Sequence, residues 1–228
     1  GFNGDAGLTA VAVTARSRRV EWIGDSMTAG FGTLRGLEFT GSCPQADASS
    51  SNYYGFANMI CRSIDADCRY IAWSGRGLYV NNAGNKDVLL PDLWKQALGT
   101  TVKEVHDFSS WVPDGVVINL GQNDFNHEFK DSVWDAAYIA FIREILAAYN
   151  NKPRIFCACG PMDHSSGGPA AFCPNVIRIV EQLDQEGIRI HFMDLQQPFD
   201  MRGCTRHPNF EDNEVISDAY DGYMLNIL

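Results

Sequence analysis

The stretch Arg19-Val20-Glu21-Trp22-Ile23-Gly24-Asp25-Ser26 opens the regular part of the chain. Its first five residues alternate in polarity and end at a glycine, which is typical of a β-strand that runs into a tight turn. Four later runs have the same character, and the run that begins at Gly115 is apolar enough to be a strand buried on both faces. The five predicted strands are Arg19–Ile23, Cys68–Trp73, Gly115–Leu120, Arg154–Ala158 and Ile188–Leu195.

Segments with apolar residues at helical spacing follow or separate these strands. The clearest is Val133–Tyr149, which Pro153 ends and for which Asp131 or Ser132 is the predicted N-cap. The other predicted helices are Asn52–Ile64, Asn175–Gln185 and Glu214–Leu225. Strands that alternate with helices form a parallel sheet covered on both faces. The sequence therefore predicts an α/β fold, a three-layer α/β/α sandwich with a five-stranded parallel sheet.

The length of 228 residues suits one domain. We assign residues 19–228 to it and treat residues 1–18 as an N-terminal appendage. Within the appendage, Leu8–Ala15 reads as a strand, either from a preceding β-domain or at the edge of the sheet. The chain starts without Met or a signal-peptide pattern, and we interpret this as a processed or trimmed start.

The charge balance excludes some classes of partner. The formal net charge is −10, with 18 Lys and Arg against 28 Asp and Glu. Nucleic-acid binding needs basic surface, and the one dense basic run, residues 16–19, is more typical of a solvated turn than of a binding patch. No stretch approaches the ~20 apolar residues of a membrane-spanning helix. We therefore expect a protein that binds neither nucleic acid nor membrane. Separately, we expect a monomer.

The seven cysteines suggest an extracellular protein with disulfides. Cys61 and Cys68 are placed to link a helix end to the next strand, and Cys159 and Cys173 to brace the loop between them. The odd number leaves at least one cysteine unpaired within the chain. A zinc site and ordinary buried thiols are the alternatives, and the absence of a CxxC pair disfavours zinc.

Four residues of chemical interest follow different predicted strands. Ser26 follows the first strand, Gly75 the second, Asn123 the third and His207 the fifth. Each alone is typical of a turn or a cap, but the carboxyl ends of parallel strands meet at one edge of a sheet. A hydroxyl, a base and two hydrogen-bond donors are the groups that acyl transfer requires. The set therefore predicts a site for acyl transfer at this edge.

Several aromatic residues flank the same loops. Trp73, Trp111 and Phe125 are candidates for a substrate-binding wall, because aromatic faces suit sugar rings, and we prefer Trp111 and Phe125. Packing in the core or within a loop is the alternative for each.

These motifs resemble the four blocks of the SGNH (GDSL-type) hydrolases over roughly residues 19–228. The blocks are Gly24-Asp25-Ser26, Gly75, Gly121-Gln122-Asn123-Asp124 and His207-Pro208. Finer details resemble carbohydrate esterase family 2, whose members deacetylate plant polysaccharides such as xylan or glucomannan. The resemblance implies a flavodoxin-like fold, a secreted protein and an acetylated polysaccharide as substrate, without a metal or cofactor. Residues 1–18 look like the tail of the β-sandwich domain that precedes the catalytic domain in this family.

The same resemblance implies a role for each residue. Ser26 is the nucleophile, His207 the base, and the oxyanion is held by the N–H groups of Ser26 and Gly75 and by the Asn123 amide. Cys204 stands where most SGNH hydrolases have an aspartate, and Asp200 lies outside the motif. We therefore expect a Ser–His dyad in which a backbone carbonyl orients the histidine, as in some family 2 members.

Two other functions remain open from the sequence. One is a lipase or arylesterase of the same superfamily, which would need an exposed apolar channel. The other is a non-catalytic carbohydrate-binding protein that has kept the fold, for which the Cys204 departure is the best support.

Overall fold

Five parallel strands form the central sheet of the protein. The structure is a computed structural model, and it describes residues 16–38, 41–98, 102–162, 171–196 and 202–228. In chain order, the strands of this sheet and of a separate hairpin are β1 (Arg18–Gly24), β2 (Ala66–Ala72), β3 (Gln96–Leu98), β4 (Val102–Val105), β5 (Gly115–Asn119), β6 (Arg154–Cys159) and β7 (Ile190–Asp194). The sheet order is β2-β1-β5-β6-β7, and β3 pairs with β4 in a separate antiparallel hairpin. The predicted segment Leu8–Ala15 lies outside the described residues.

The sheet confirms the predicted architecture. Each of the five predicted strands is present within two residues of its predicted bounds. Counted within the sheet alone, the strand order is 2-1-3-4-5, which is the flavodoxin-like order. The hairpin of β3 and β4 was not predicted, because its strands are three and four residues long and carry no alternating apolar pattern.

Seven α-helices are present in the described part of the chain. They are α1 (Ser26–Ala29), α2 (Ala46–Ser49), α3 (Phe56–Ser63), α4 (Leu90–Trp94), α5 (Asp131–Ala148), α6 (Cys173–Gln185) and α7 (Phe210–Ile227). None of the helices in these ranges is long and apolar enough to cross a membrane.

Helix starts differ most from the sequence prediction. The helix predicted from Asn52 begins at Phe56, with Gly55 as its N-cap. The N-cap of α5 is Lys130, so Asp131 and Ser132, proposed as caps, lie in its first turn. Helix α7 begins four residues earlier than predicted, because the Asn209 side chain accepts a hydrogen bond from the Asp212 N–H at 2.9 Å.

Helices cover both faces of the sheet and give the molecule three layers. On one face, Trp22 of β1 is fully buried against Phe56 of α3, with ring centroids 5.9 Å apart, and α7 completes this layer. On the other face, Ile23 of β1 belongs to a core built with α4, α5 and α6. The successive residues Trp22 and Ile23 thus face opposite layers, as the two-residue period of a strand requires.

Three disulfides cross-link this framework, two of them over short stretches of chain and one over a long stretch. Cys61–Cys68 joins α3 to β2 and Cys159–Cys173 joins β6 to α6, as the sequence predicted. The third, Cys43–Cys204, spans 161 residues and was not predicted. Cys157 is the unpaired, buried thiol. Six of the seven cysteines are therefore held in disulfides and are not available to bind zinc.

Candidate active site

The carboxyl ends of three neighbouring strands lie level with one another. Gly24 at the end of β1 pairs with Ala72 of β2 and with Asn119 of β5. The strand order reverses between β1 and β5, which is where flavodoxin-like sheets open a crevice for ligands. The loops that carry Ser26, Gly75 and Asn123 leave the sheet at this crevice.

Ser26 and His207 contact each other directly. Ser26 is the first residue of α1, and Asp25 caps this helix by accepting a hydrogen bond from the Met27 N–H at 3.0 Å. The Oγ atom of Ser26 lies 2.8 Å from Nε2 of His207. Ser26 and His207 are 8% and 9% exposed, so the pair is largely shielded from water yet reachable. Two residues 181 positions apart in the chain thus form a hydroxyl–imidazole pair.

The other ring nitrogen of His207 faces three oxygen atoms of its own loop. Nδ1 lies 3.0 Å from the carbonyl oxygen of Cys204 and 3.2 Å from that of Thr205. When Nε2 accepts the Ser26 hydroxyl hydrogen, Nδ1 carries the ring hydrogen and donates it to these oxygens. The side chain of Cys204 is tied to Cys43, and Asp200 lies outside the described residues. Among the described residues, Nδ1 therefore has main-chain carbonyls as acceptors, together with the Thr205 hydroxyl oxygen at 3.1 Å, and no carboxylate.

Burial favours the neutral form of this imidazole. Loss of contact with water lowers the pKa of His207, whereas the carbonyls of Thr205 and Cys204 act in the opposite direction because they stabilise the protonated ring. The net effect is a pKa below the ordinary histidine value. A histidine that is neutral at neutral pH is ready to accept a proton.

Gly75 lies in a loop that Asp124 holds in place. The φ angle of Gly75 is +79°, in the left-handed region that favours glycine. The carboxylate of Asp124 accepts hydrogen bonds from three successive backbone N–H groups just after this loop, those of Leu78, Tyr79 and Val80, at 2.7 to 3.1 Å. A buried carboxylate from the turn after β5 thus organises the loop after β2.

The amide of Asn123 already has two acceptors. Its Nδ2 atom lies 3.1 Å from Oδ2 of Asp25 and 2.8 Å from the carbonyl oxygen of Arg76. Burial raises the pKa of Asp25 to about 7, and the nearby Asp124 carboxylate adds to the increase. Because an amide nitrogen has two hydrogens, Asn123 can donate to a further group only by sharing or releasing one of these contacts.

These residues line one cavity of about 410 Å³. The lining residues are Ser26, Phe31, Ser74, Gly75, Asn82, Gln122, Asn123, Asn126, Met162, Thr205, Arg206 and His207. Among the described residues, Arg206 is the one permanently charged side chain in this lining. Apart from the His207 imidazole, the remaining polar side chains carry hydroxyls and amides, which bind neutral polar ligands.

The structure does not bring the three predicted aromatic residues to this cavity. Trp111 precedes β5 and so lies at the opposite edge of the sheet, where its Nε1–H donates to Asp67 at 2.8 Å. Phe125 packs into the core against Trp134. Trp73 is 44% exposed beside Ser74, outside the cavity lining. This corrects the placement of Trp111 and Phe125 in the cleft wall.

Sequence reasoning missed several residues of the cavity. Phe31 packs against the His207 ring with centroids 4.6 Å apart, and Arg206 stands next to His207 in the chain. Both residues lie close in the sequence to Ser26 and His207, and this closeness could have predicted them. No signal pointed to Asn82 or Asn126, whose side chains hydrogen-bond to each other at 3.0 Å from different loops.

The sequence and the fold are similar to those of known proteins. The chain is 30% identical, over 236 aligned residues, to the cellulase/esterase CelE of Acetivibrio thermocellus, covering 100% of this chain and 28% of the relative. It is 27% identical to an acetylxylan esterase / glucomannan deacetylase of Cellvibrio japonicus, covering 96% of this chain and 62% of the relative. The chain therefore spans less than two thirds of the length of either relative.

A solved structure shows the same similarity. A family two carbohydrate esterase from Clostridium thermocellum, in complex with cellohexaose, superposes with a TM-score of 0.84 at 28% identity, covering 95% of this chain and 66% of that one. The model of the GDSL-like lipase/acylhydrolase family matches residues 22–215, a range that includes both Ser26 and His207. The chain therefore belongs to the GDSL-like lipase/acylhydrolase family.

Proposed function

We propose that the chain is a serine esterase that removes small acyl groups, foremost O-acetyl groups, from plant-type polysaccharides such as xylan or glucomannan. The observation that carries the proposal is the 2.8 Å contact between Ser26 Oγ and His207 Nε2 in an accessible cavity. A hydroxyl in contact with a neutral imidazole is the arrangement of an activated nucleophile.

In the first half of the reaction, Ser26 Oγ attacks the ester carbonyl carbon while His207 Nε2 takes the hydroxyl proton. The tetrahedral intermediate then collapses, and the C–O bond to the sugar breaks. His207 returns its proton to the sugar oxygen, which leaves as an alcohol. The acyl group remains on Ser26 as an ester.

In the second half, water attacks the acyl-enzyme and His207 takes a proton from it. Collapse releases the carboxylic acid and restores the Ser26 hydroxyl. We assign the oxyanion to the N–H groups of Ser26 and Gly75 and to the Asn123 amide. The loss of one such donor raises the barrier by about 2.7–4 kcal/mol.

The cavity chemistry supports a carbohydrate ester as substrate. Its hydroxyl and amide lining matches the hydroxyls of a neutral sugar, and the formal net charge of −10 does not attract anionic lipid surfaces. The relatives named for deacetylation of xylan and glucomannan point to the same class.

The disulfides support secretion. Three cross-links within one domain form and persist in an oxidising environment, such as the outside of the cell or the periplasm. An extracellular location is also where an acetylated plant polysaccharide would be met.

The first test measures acetate release from acetylated xylan and acetylated glucomannan by the wild type and by Ser26→Ala. We expect release by the wild type, and a decrease of at least about a thousandfold in the variant, because the nucleophile is lost. If Ser26→Ala releases acetate at the wild-type rate, the nucleophile assignment is wrong. If neither protein releases acetate but the wild type binds the polysaccharide, the non-catalytic alternative is favoured.

A second test compares 4-nitrophenyl esters of increasing acyl length. We expect kcat/KM to decrease by at least about tenfold from acetyl to butyryl, because the added methylenes must fit into a cavity of about 410 Å³ that also has to receive the alcohol part of the ester. A kcat/KM that increases towards long chains would instead identify a lipase.

A further inference from the structure

The loop that carries His207 is short and bent back on itself. The Gly203 N–H donates to the carbonyl oxygen of His207 at 2.8 Å, and the His207 N–H donates to that of Cys204 at 3.1 Å. Between them, Thr205 and Arg206 have φ angles of +50° and +64°, a region that residues with side chains rarely adopt. Such a loop keeps its shape only when contacts from outside hold it.

Cys204 makes the shortest of the contacts that orient the His207 ring, and Thr205 makes the other two. The Cys204 carbonyl oxygen accepts from the backbone N–H of His207 and lies 3.0 Å from ring Nδ1. The Thr205 hydroxyl also donates to this oxygen, at 2.8 Å. A displacement of the Cys204 backbone would therefore move the acceptor that points Nε2 at Ser26.

The disulfide to Cys43 is the covalent attachment of this residue. Cys204 itself is 1% exposed, whereas Cys43 lies in an exposed stretch without regular structure. Two weaker contacts act alongside it. The Cys204 backbone packs on Gly32, where an added Cβ would come within 2.7 Å of Cys204 N, and Arg35 donates to the Gly203 carbonyl at 3.3 Å.

We propose that the Cys43–Cys204 disulfide is a positioning element of the active site, which holds the carbonyl that orients His207. The proposal rests on the proposed esterase function. Cys204 stands at the sequence position where most SGNH hydrolases carry the aspartate that contacts the catalytic histidine. The cross-link at this position holds the Cys204 carbonyl, which accepts from His207 instead. Opening it lets the strained turn at Thr205 and Arg206 relax and moves the Cys204 carbonyl away from Nδ1.

The other disulfides allow a matched comparison. Cys61–Cys68 joins the last turn of α3 to the third residue of β2, near the amino end of the sheet. Neither cysteine is among the described residues that line the cavity. Cys43→Ser and Cys68→Ser each remove one cross-link, but only Cys43→Ser releases the loop that carries His207.

The experiment measures kcat and KM on 4-nitrophenyl acetate for the wild type, Cys43→Ser and Cys68→Ser. Active sites are counted by complete labelling with a fluorophosphonate, and circular dichroism confirms that each protein is folded at the assay temperature. For Cys43→Ser we expect kcat per labelled site to decrease by at least about tenfold with KM changed by less than about twofold, because misplaced catalytic groups slow chemistry rather than binding. For Cys68→Ser we expect kcat per site within about twofold of the wild type.

The pH profile separates positioning from stability. The Cys204 carbonyl stabilises protonated His207, so its loss lowers the pKa of His207 and moves the acid limb of kcat/KM to lower pH. The charged groups around this ring, Arg206 in the cavity, Arg35 at Gly203 and Asp25 behind Ser26, are the same in both proteins. A disulfide that only stabilises the fold would leave the limb in place.

If Cys43→Ser does not fold, partial reduction of the wild type gives the same information. Activity is measured as dithiothreitol opens the disulfides, and each open pair is alkylated and quantified by peptide mapping. We expect activity to decrease in proportion to the opening of Cys43–Cys204. Activity that persists with this pair open, or a Cys43→Ser variant with normal kcat and an unmoved acid limb, would overturn the inference. Wild-type protein that hydrolyses no acetyl ester would instead overturn the proposed function.

Discussion

His207 is poised by opposing influences on one side chain. Burial lowers its pKa, while carbonyl oxygens at Nδ1 limit the decrease and select the tautomer that leaves Nε2 facing Ser26. A carboxylate partner would raise the pKa further and stabilise the imidazolium formed during attack. With a carbonyl in that place, the ring is oriented but remains a weaker base.

This difference predicts a low acid limit for activity. His207 must be neutral to act as a base, so kcat/KM increases with pH through its pKa, and burial places that pKa below the ordinary histidine value of about 6.5. A profile of kcat/KM on 4-nitrophenyl acetate from acid to neutral pH checks this. A midpoint clearly above that value would show that the ring is not in the environment described.

Asn123 predicts a second effect at the scale of one residue. Asn123→Ala removes a donor assigned to the oxyanion, and we expect kcat to decrease by about 10²–10³-fold with little change in KM. The measurement is steady-state kinetics on the aryl acetate, with thermal unfolding as the control for folding. A variant with normal kcat would mean that the amide stays committed to Asp25 and Arg76 during the reaction.

At the scale of elements, the turn after β5 and the loop after β2 are one unit. Asp124 opens the short 3-10 turn Asp124–Asn126, and its buried carboxylate satisfies the N–H groups of residues 78–80. Burial raises the pKa of Asp124, although these N–H groups act against the increase. The position of Gly75 therefore depends on a residue from another strand's loop.

Replacing Asp124 separates these elements. Asp124→Ala leaves the buried N–H groups of Leu78 and Val80 and the half-buried one of Tyr79 without their acceptor, and each unsatisfied buried group costs about 1–3 kcal/mol. We expect the free energy of unfolding, measured in urea, to decrease by at least about 2 kcal/mol, with a loss of esterase activity. Asp124→Asn keeps one acceptor oxygen, so its free energy of unfolding should lie between those of Asp124→Ala and the wild type. Equal stability of Asp124→Ala and the wild type would contradict this account.

The sequence patterns of strands and turns predicted most of the elements that build the site. Gly24, Gly75 and Gly121 mark where strands become loops, and the rule that parallel strands end together then placed Ser26 beside Asn123. Local caps were harder, because several polar residues near a helix start can each serve as the cap. Asn209 does so for α7, whereas Asp131 and Ser132 do not for α5.

At the scale of the whole molecule, the direction of the parallel strands explains why the prediction that Trp111 lines the cavity was wrong. Trp111 comes before β5, so it lies at the amino edge, opposite the edge that Asn123 reaches after the same strand. This could have been read from the predicted strand direction. The Cys43–Cys204 pair could not, because 161 residues separate its members and no local pattern relates them.

The cysteine pairing gives a prediction for the intact chain. Three disulfides and one buried thiol mean that alkylation after denaturation without reductant should modify one cysteine, Cys157. Peptide mapping should recover Cys43 linked to Cys204. Labelling of Cys43 and Cys204 as free thiols in freshly purified protein would contradict the pairing.

The measurement that tests the central claim most directly is the site of covalent labelling by a fluorophosphonate. The account predicts one phosphonyl group per chain, located by mass spectrometry on Ser26, with esterase activity lost in proportion and no labelling of Ser26→Ala. His207→Ala should label at least about a hundredfold more slowly, because Ser26 loses its base. Labelling at another residue, or full esterase activity after Ser26 is modified, would contradict the assignment of Ser26 and His207 as the reacting pair.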